Sequence, residues 1–201
     1  MTCPFRAIAF AAAIVAGTAV PALAQAPAAP PAQEAPQAPP PAPVQPQTDA
    51  FGEELTLSPK TIIFMKGSGT WDKAYETLVD AFKSLYAYLD KQGIKRAGPP
   101  MTIYTQADDT GFQFQAAVPV AEPPKETPSG DIGVGTSPAG RAFKFVHQGS
   151  YDSMDTTYEA ITSFLDAKSL EAQDLFVEEY VTDPVSTPED KLTVNVYVPV
   201  R

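Results

Sequence analysis

Two side chains of this 201-residue sequence have the type and setting for chemistry: the only histidine, His147, and Glu178, a glutamate with tyrosines on its own and neighbouring strand-like segments. His147 stands in "HQGSYDSM", where a neutral imidazole could serve as a general acid or base. A nucleophile or a zinc site needs company that the sequence does not supply. The only cysteine is Cys3, no serine–base arrangement accompanies the histidine, and one histidine is too few for zinc. His147 is therefore read as a structural turn residue, and neither a metal nor a cofactor is called for. Glu178 lies in "EEYVTDP", two residues before Tyr180. A carboxylate ringed by Tyr104, Tyr180 and Tyr197 could hold a desolvated cation through charge and ring quadrupole together. An ordinary exposed strand glutamate is the competing reading.

Two further motifs have bland readings. "GDIGVGTSPAG" looks like a phosphate-binding glycine loop, but such loops need a helix immediately after the glycines and here a strand follows, so it reads as a connecting loop. Asp108 and Asp109 before Gly111 read as a hairpin turn, because they lack the ligand count of a calcium loop.

The elements that must position Glu178 occur twice. "GTWDKAYETLVDAFKSLYAYL" from Gly69 and "GSYDSMDTTYEAITSFL" from Gly149 share a glycine, a small hydroxyl residue, an aromatic and an aspartate, which predicts a strand-to-helix turn in each. A helix follows both times. Trp71, Tyr75, Leu78, Phe82, Leu85 and Leu89 form one apolar stripe, read as core, and Tyr151, Met154, Tyr158, Ile161 and Leu165 form the other. A strand precedes each turn, "TIIFM" and "AFKFV", and two follow each helix, "MTIYTQ" with "FQFQAAVPV" and "LFVEEYVTDP" with "LTVNVYVPV". Gly93 reads as a helix cap. The expected fold is α+β: duplicated β-α-β-β units, about 55–121 and 138–201, with pseudo-twofold symmetry, an antiparallel sheet and helices on one side.

Alternation along the strands separates two faces. Phe112, Phe114 and Ala116, with Leu192, Val194, Val196 and Ile103, are expected to face the helices. The other face then carries Gln113, Gln115, Thr193, Asn195 and Tyr197, joined by Thr102 and Tyr104 and by their repeat equivalents Glu178 and Tyr180. One unit offers a threonine where the other offers a carboxylate.

Residues 1–24 read as a secretory signal with Arg6 in a short n-region, an apolar run from Ala7 to Val20, and Ala22-Leu23-Ala24 before a cleavage near Ala24. The run is short for a bilayer, so no stable span is expected after its removal, and the protein is expected to be periplasmic or secreted. Residues 25–50, with nine prolines, read as a disordered, semi-rigid linker. The folded domain is then 51–201. The net charge of −10 is spread along the chain without a basic stripe, which disfavours nucleic acid and mildly favours cationic ligands.

"GPPMTIY", "AAVPV", "SPAGRAF", "HQGSY", "EEYVTDP" and "VYVPV", in this order and spacing, resemble the GyrI-like (gyrase-inhibitor-like) or effector-binding domain family over nearly all of Leu55 to Arg201. The resemblance implies two β-α-β-β units, a concave sheet surface that binds small molecules, and a pattern Glu-x-Tyr-x-x-Asp-Pro that Glu178, Tyr180, Asp183 and Pro184 fit. Glu179 departs from it, since the middle position is usually apolar and the register turns it toward the helices. Glu178 and Glu179 thus stay alternatives for the pocket carboxylate, with Glu178 preferred. The candidate ligand set is Glu178, Tyr180, Tyr104, Thr102, Gln113, Gln115, Asn195 and Tyr197. Neither gyrase inhibition nor transcriptional control is carried over, because no helix-turn-helix precedes the domain and an exported copy reaches neither target. The expected function is binding of an amphipathic or cationic compound, such as a lipophilic cation, in an aromatic pocket with Glu178. The alternatives are hydrolysis of reactive electrophiles by Glu178 and Tyr180, as in some family members, and an envelope module that binds a protein partner.

Overall fold

The computed structural model describes residues 51–201; the signal sequence expected over 1–24 and the linker over 25–50 lie outside the described residues. Ten regular elements follow in order: β1 (Glu53–Leu57), β2 (Thr61–Gly69), α1 (Ala74–Gln92), β3 (Met101–Ala107), β4 (Phe112–Pro119), β5 (Ile132–Thr136), β6 (Gly140–Gly149), α2 (Met154–Ala167), β7 (Phe176–Tyr180) and β8 (Leu192–Pro199). All eight strands form one antiparallel sheet in the order β1-β6-β8-β7-β3-β4-β2-β5. Exchanging β1 with β5, β2 with β6, β3 with β7 and β4 with β8 reverses this order onto itself. The duplicated β-α-β-β units are thus β2-α1-β3-β4 and β6-α2-β7-β8, and the pseudo-twofold axis runs between β3 and β7. Thr102 and Glu178 face each other across it as direct partners.

The edge strands β1 and β5 are the elements that the sequence does not announce. The glycine-rich stretch read as a loop pairs with β2 as β5. Its glycines are there for packing: a Cβ at Gly133 would come within 2.6 Å of the Phe64 ring, so the bare backbone makes room for the aromatic. Each edge strand precedes one unit yet pairs with the first strand of the other, β1 with β6 and β5 with β2.

Both helices pack on one side of the sheet. Leu78 and Phe82 of α1 and Met154, Ile161 and Leu165 of α2 share a core with Phe114, Ala116, Val194 and Val196, and Leu85 and Leu89 extend it over Ile63 and Val118. α1 ends as expected at Gly93, whose φ of 67° lets its N–H reach the Asp90 carbonyl while Ile94 N–H reaches Leu89. Each helix is entered through one 3-10 turn, Trp71–Lys73 and Tyr151–Ser153, and only the second has a side-chain cap, Ser150 Oγ accepting from Asp152 N–H at 3.3 Å. Trp71 departs from the expected core stripe. It is 46% exposed, because the 3-10 turn swings it off the helix face, and its indole N–H donates to the Asp108 carbonyl at 2.7 Å.

The register corrects the assignment of faces. Tyr104 opposes Phe114 and Phe176, Thr102 opposes Ala116 and Glu178, and Tyr180 opposes Val194, and directly paired residues of antiparallel strands point to the same side. Thr102, Tyr104, Glu178 and Tyr180 therefore face the helices. Ile103 opposes Gln115 and Val177 and faces away from them, as do Glu179, Asn195 and Tyr197. The far face has an apolar cluster of its own, with Ile62, Met101, Ile103, Ala117 and Val177. A strand buried on both faces carries no alternation to read.

The β3–β4 turn is closed by Asp108, whose Oδ1 accepts from Thr110 N–H at 2.8 Å and Gly111 N–H at 3.1 Å. A Cβ on Gly111 would lie 2.3 Å from the Gly69 carbonyl oxygen, a backbone atom that cannot swing aside. Gly111→Ala is expected to cost about 2 kcal/mol and lower Tm by about 4–8 °C, measured by thermal denaturation. A shift under 1 °C would show that the two strands separate more freely than this contact implies.

Candidate functional site

Glu178 has no accessible surface, and four phenol hydroxyls donate to it. Tyr158 donates to Oε1 at 2.8 Å, and Tyr180, Tyr151 and Tyr104 donate to Oε2 at 2.9, 3.1 and 3.2 Å. Two are repeat equivalents, Tyr104 and Tyr180. Tyr151 comes from the turn into α2 and Tyr158 from about two turns further along that helix. Around this shell the Tyr104 and Tyr151 hydroxyls lie 2.8 Å apart, and Thr102 Oγ1 lies 3.2 Å from the Tyr180 hydroxyl. Oε2 is thus saturated with donors, while Oε1 has one.

Burial lifts the Glu178 carboxyl above the usual glutamate value of 4.5, and the hydrogen bonds from Tyr158, Tyr180, Tyr151 and Tyr104 pull the other way without cancelling it. The four phenols are held well above 10, first by burial and then by the glutamate charge. A carboxyl raised by folding keeps its proton in the folded state after the unfolded chain has lost it, so its contribution to stability declines as pH rises from about 4.5 through the folded value. Chemical denaturation of the wild type and Glu178→Gln at pH 4.5 to 8 is expected to show the wild type losing stability relative to the variant as pH rises. A difference that is constant, or of opposite sign, would contradict the direction.

Beside Glu178 lies a cavity of about 630 Å³, between the entries to the two helices and the helix-facing side of β3 and β7. Its walls include Trp71, Tyr75, Tyr104, Tyr151, Tyr158 and Phe176. Trp71 packs on Phe112 with ring centroids 4.8 Å apart, and Tyr75 on Tyr151 at 5.3 Å. The Tyr75 hydroxyl also donates to the Pro184 carbonyl at 3.1 Å, tying α1 to the β7–β8 connection.

Of the residues singled out in the sequence, Glu178 and Tyr104 line this cavity, and Thr102 and Tyr180 support Glu178 from behind. Gln113, Gln115, Asn195 and Tyr197 lie on the other face of the sheet, for the reason of register given above. There Tyr197 donates to Glu179 Oε1 at 3.4 Å, and burial with the Glu179 charge pushes its phenol up to about 12. Glu179 pairs with Lys60 at 3.3 Å, whereas no lysine or arginine pairs with Glu178 among the described residues. Glu178 thus lies on the helix side of the sheet, beside the cavity, and Glu179 on the far side. His147 is 4% exposed and holds the turn, with Nδ1 2.7 Å from Thr157 Oγ1 and Nε2 3.0 Å from the Ser150 carbonyl. Trp71, Tyr75, Tyr151, Tyr158 and Phe176 are the wall residues that the sequence reading gave to the core or left aside. The signal that marks two of them is the aromatic that follows glycine and hydroxyl residue in both repeats. Among the described residues no group of three histidine, cysteine or acidic side chains is arranged to hold a metal, and no helix is long and apolar enough to cross a membrane.

Residues 53–201 match the family model of the GyrI-like small molecule binding domain. No curated protein sequence matches the chain. Among solved structures the fold is similar to EcmrR in an EcmrR–DNA complex seen by cryo-electron microscopy, with a TM-score of 0.64 at 14% identity over 75% of this chain and 57% of that one. This chain thus spans less than two thirds of that protein. It is also similar to a hydrolase from Listeria innocua (TM-score 0.55, 16% identity, 75% and 92% of the two chains) and to SAV2435 bound to tetraphenylphosphonium (TM-score 0.51, 15% identity, 75% and 93%). At such identities the likeness is one of fold.

Proposed function

This chain belongs to the GyrI-like small-molecule-binding domain family, and from that premise we propose that its cavity accepts an amphipathic cationic compound held by the field of Glu178, in a protein exported from the cytoplasm. The observation that carries the reading is the buried glutamate with four phenol donors and no cationic partner among the described residues. A buried carboxylate is costly to ionise unless a positive group stands near it, and a bound cation would supply that group. Because Glu178 has no accessible surface while Tyr104, Tyr151 and Tyr158 line the cavity, a ligand meets tyrosine rings before it meets the carboxylate. That arrangement favours a diffuse charge on an apolar body over a small ammonium that requires direct hydrogen bonds. Export rests on residues 1–24, whose charged start, apolar run and Ala22-Leu23-Ala24 have the pattern of a secretory signal.

The hydrolytic alternative is weaker. Tyr180 is 1% exposed, spends its hydroxyl on Glu178 and is not among the cavity walls, so it is poorly placed to meet a substrate. An open cavity of this size also weighs against a module whose sheet surface has no ligand.

Trp71, the single tryptophan, stands at the cavity and supplies the readout. Titration with tetraphenylphosphonium, the cation in the SAV2435 structure, is expected to change its fluorescence saturably, and neutral triphenylphosphine oxide to bind at least about tenfold more weakly. Equal affinity for the two, or none for either, would sink the proposal.

A further inference from the structure

Resting on that reading of the cavity, we propose that its mouth takes a second cationic group, so that the preferred ligands are dications with a diffuse aromatic charge toward Glu178 and an ammonium tail at the rim. Five carboxylates border the cavity besides Glu178: Asp72 and Glu76 at the entry to α1, Asp152 and Asp155 at the entry to α2, and Glu189 from the 3-10 turn Glu189–Lys191 before β8. Among the described residues that wall the cavity Lys73 is the only basic one, Lys191 of the same 3-10 turn as Glu189 being offset by its neighbour Asp190, and no ion pair joins any of the five to a lysine or arginine.

Acidic residues in first turns have an ordinary use, since they offset the positive end of a helix dipole, and magnitude decides whether that use exhausts them. Two helix starts supply roughly half a positive charge each, and Lys73 one more, against five carboxylates, which leaves the rim near −3. The two dipoles therefore do not account for the charge. Independently, the same cavity ends on Glu178, which is wholly buried and without a cationic partner among the described residues, so both ends of one aromatic-walled space call for positive charge. The carboxyl of Glu189 is raised, first by burial and then by the charges of Asp152, Glu76 and Asp190, which places these groups within electrostatic reach of one another. A sphere of the cavity's volume is roughly 11 Å across, enough for an aromatic cation and a short tail. The two ends differ in kind: the floor is dry and screened by rings, whereas Asp72, Glu76, Asp152 and Asp155 are exposed and suit a hydrated ammonium.

The test compares N-hexylacridinium with N-(6-aminohexyl)acridinium, which share the ring charge and tail length and differ in the terminal ammonium. At low ionic strength the aminohexyl compound is expected to bind about tenfold more tightly, and in Asp152→Asn/Asp155→Asn/Glu189→Gln the two affinities are expected to converge to within about twofold. Wild-type affinities within twofold of each other, or a tenfold preference that survives the triple variant, overturn the proposal. Should the variant not fold, as judged by circular dichroism, the wild type decides the matter: the aminohexyl compound must lose affinity more steeply with added salt, and parallel slopes overturn it. The reading of the floor fails separately, if Glu178→Gln leaves the affinity for N-hexylacridinium unchanged.

Discussion

Glu178→Gln lowers affinity for lipophilic monocations by about 30- to 150-fold at pH 8, equivalent to about 2–3 kcal/mol, while the protein folds with undiminished stability. The two halves of this expectation have one cause. The glutamate charge is desolvated, and nothing among the described residues neutralises it, so the empty protein bears its cost and a bound cation relieves it. Glutamine keeps the shape and stays satisfied in the tyrosine cage. Its carbonyl accepts from the phenols that Glu178 Oε2 now serves, and its amide donates to the oxygen of Tyr158, which rotates its hydroxyl. Isothermal titration with tetraphenylphosphonium and urea denaturation of both proteins check the two parts. A variant that binds as well as the wild type removes Glu178 from recognition. A variant that is markedly less stable shows that the charge, not the ligand site, organises the cage.

The second large effect is on the fold. Phe82 is fully buried on α1, and its ring meets that of Tyr180 edge-on, with centroids 5.4 Å apart and planes at 77°. Phe82→Ala is expected to cost about 4 kcal/mol, by lost transfer energy and by the cavity left behind, and to lower Tm by about 10 °C. The loss reaches the site, because Tyr180 is held between Phe82 and Glu178. Cation affinity should therefore fall as well, though by less than in Glu178→Gln. Thermal denaturation and the same titration give both numbers, and a cost below about 1.5 kcal/mol would mean that the neighbouring side chains close over the gap.

Much of this was legible in the sequence because the duplication made each unit a check on the other. The helix stripes and the pairing of Thr102 with Glu178 as equivalents rest on two matching copies, whereas the cap at Gly93 and the hairpin at Asp108 were readable from their own glycines and aspartates. The choice of Glu178 also leaned on the family pattern. What escaped reading did so for local reasons. β3 is buried on both faces, so Ile103 gave no sign of which side it faced, and the register went over by one face with it. Gln113, Gln115, Asn195 and Tyr197 were then grouped with a carboxylate that lies through the sheet from them. β5 was hidden by glycines whose purpose is the Phe64 ring, a contact that no local pattern announces. Trp71 and Tyr151 occupy equivalent places, yet one lies 46% exposed at the cavity mouth and the other is buried against Glu178, a difference set by neighbours distant in the chain.

The exchange of edge strands bears on how the chain comes together in time. β1 is the first of the described strands to be made, but among them it pairs with β6 alone, and the Glu54–Arg141 ion pair that joins them spans 87 residues. The first unit likewise lacks its outer strand until β5 has been made. No half can finish alone, so folding waits for the late part of the chain, and the long loops that must close make it slow. Until then β1, β2 and β6 present unpaired edges, and during that interval, before the sheet closes, the protein is most exposed to aggregation.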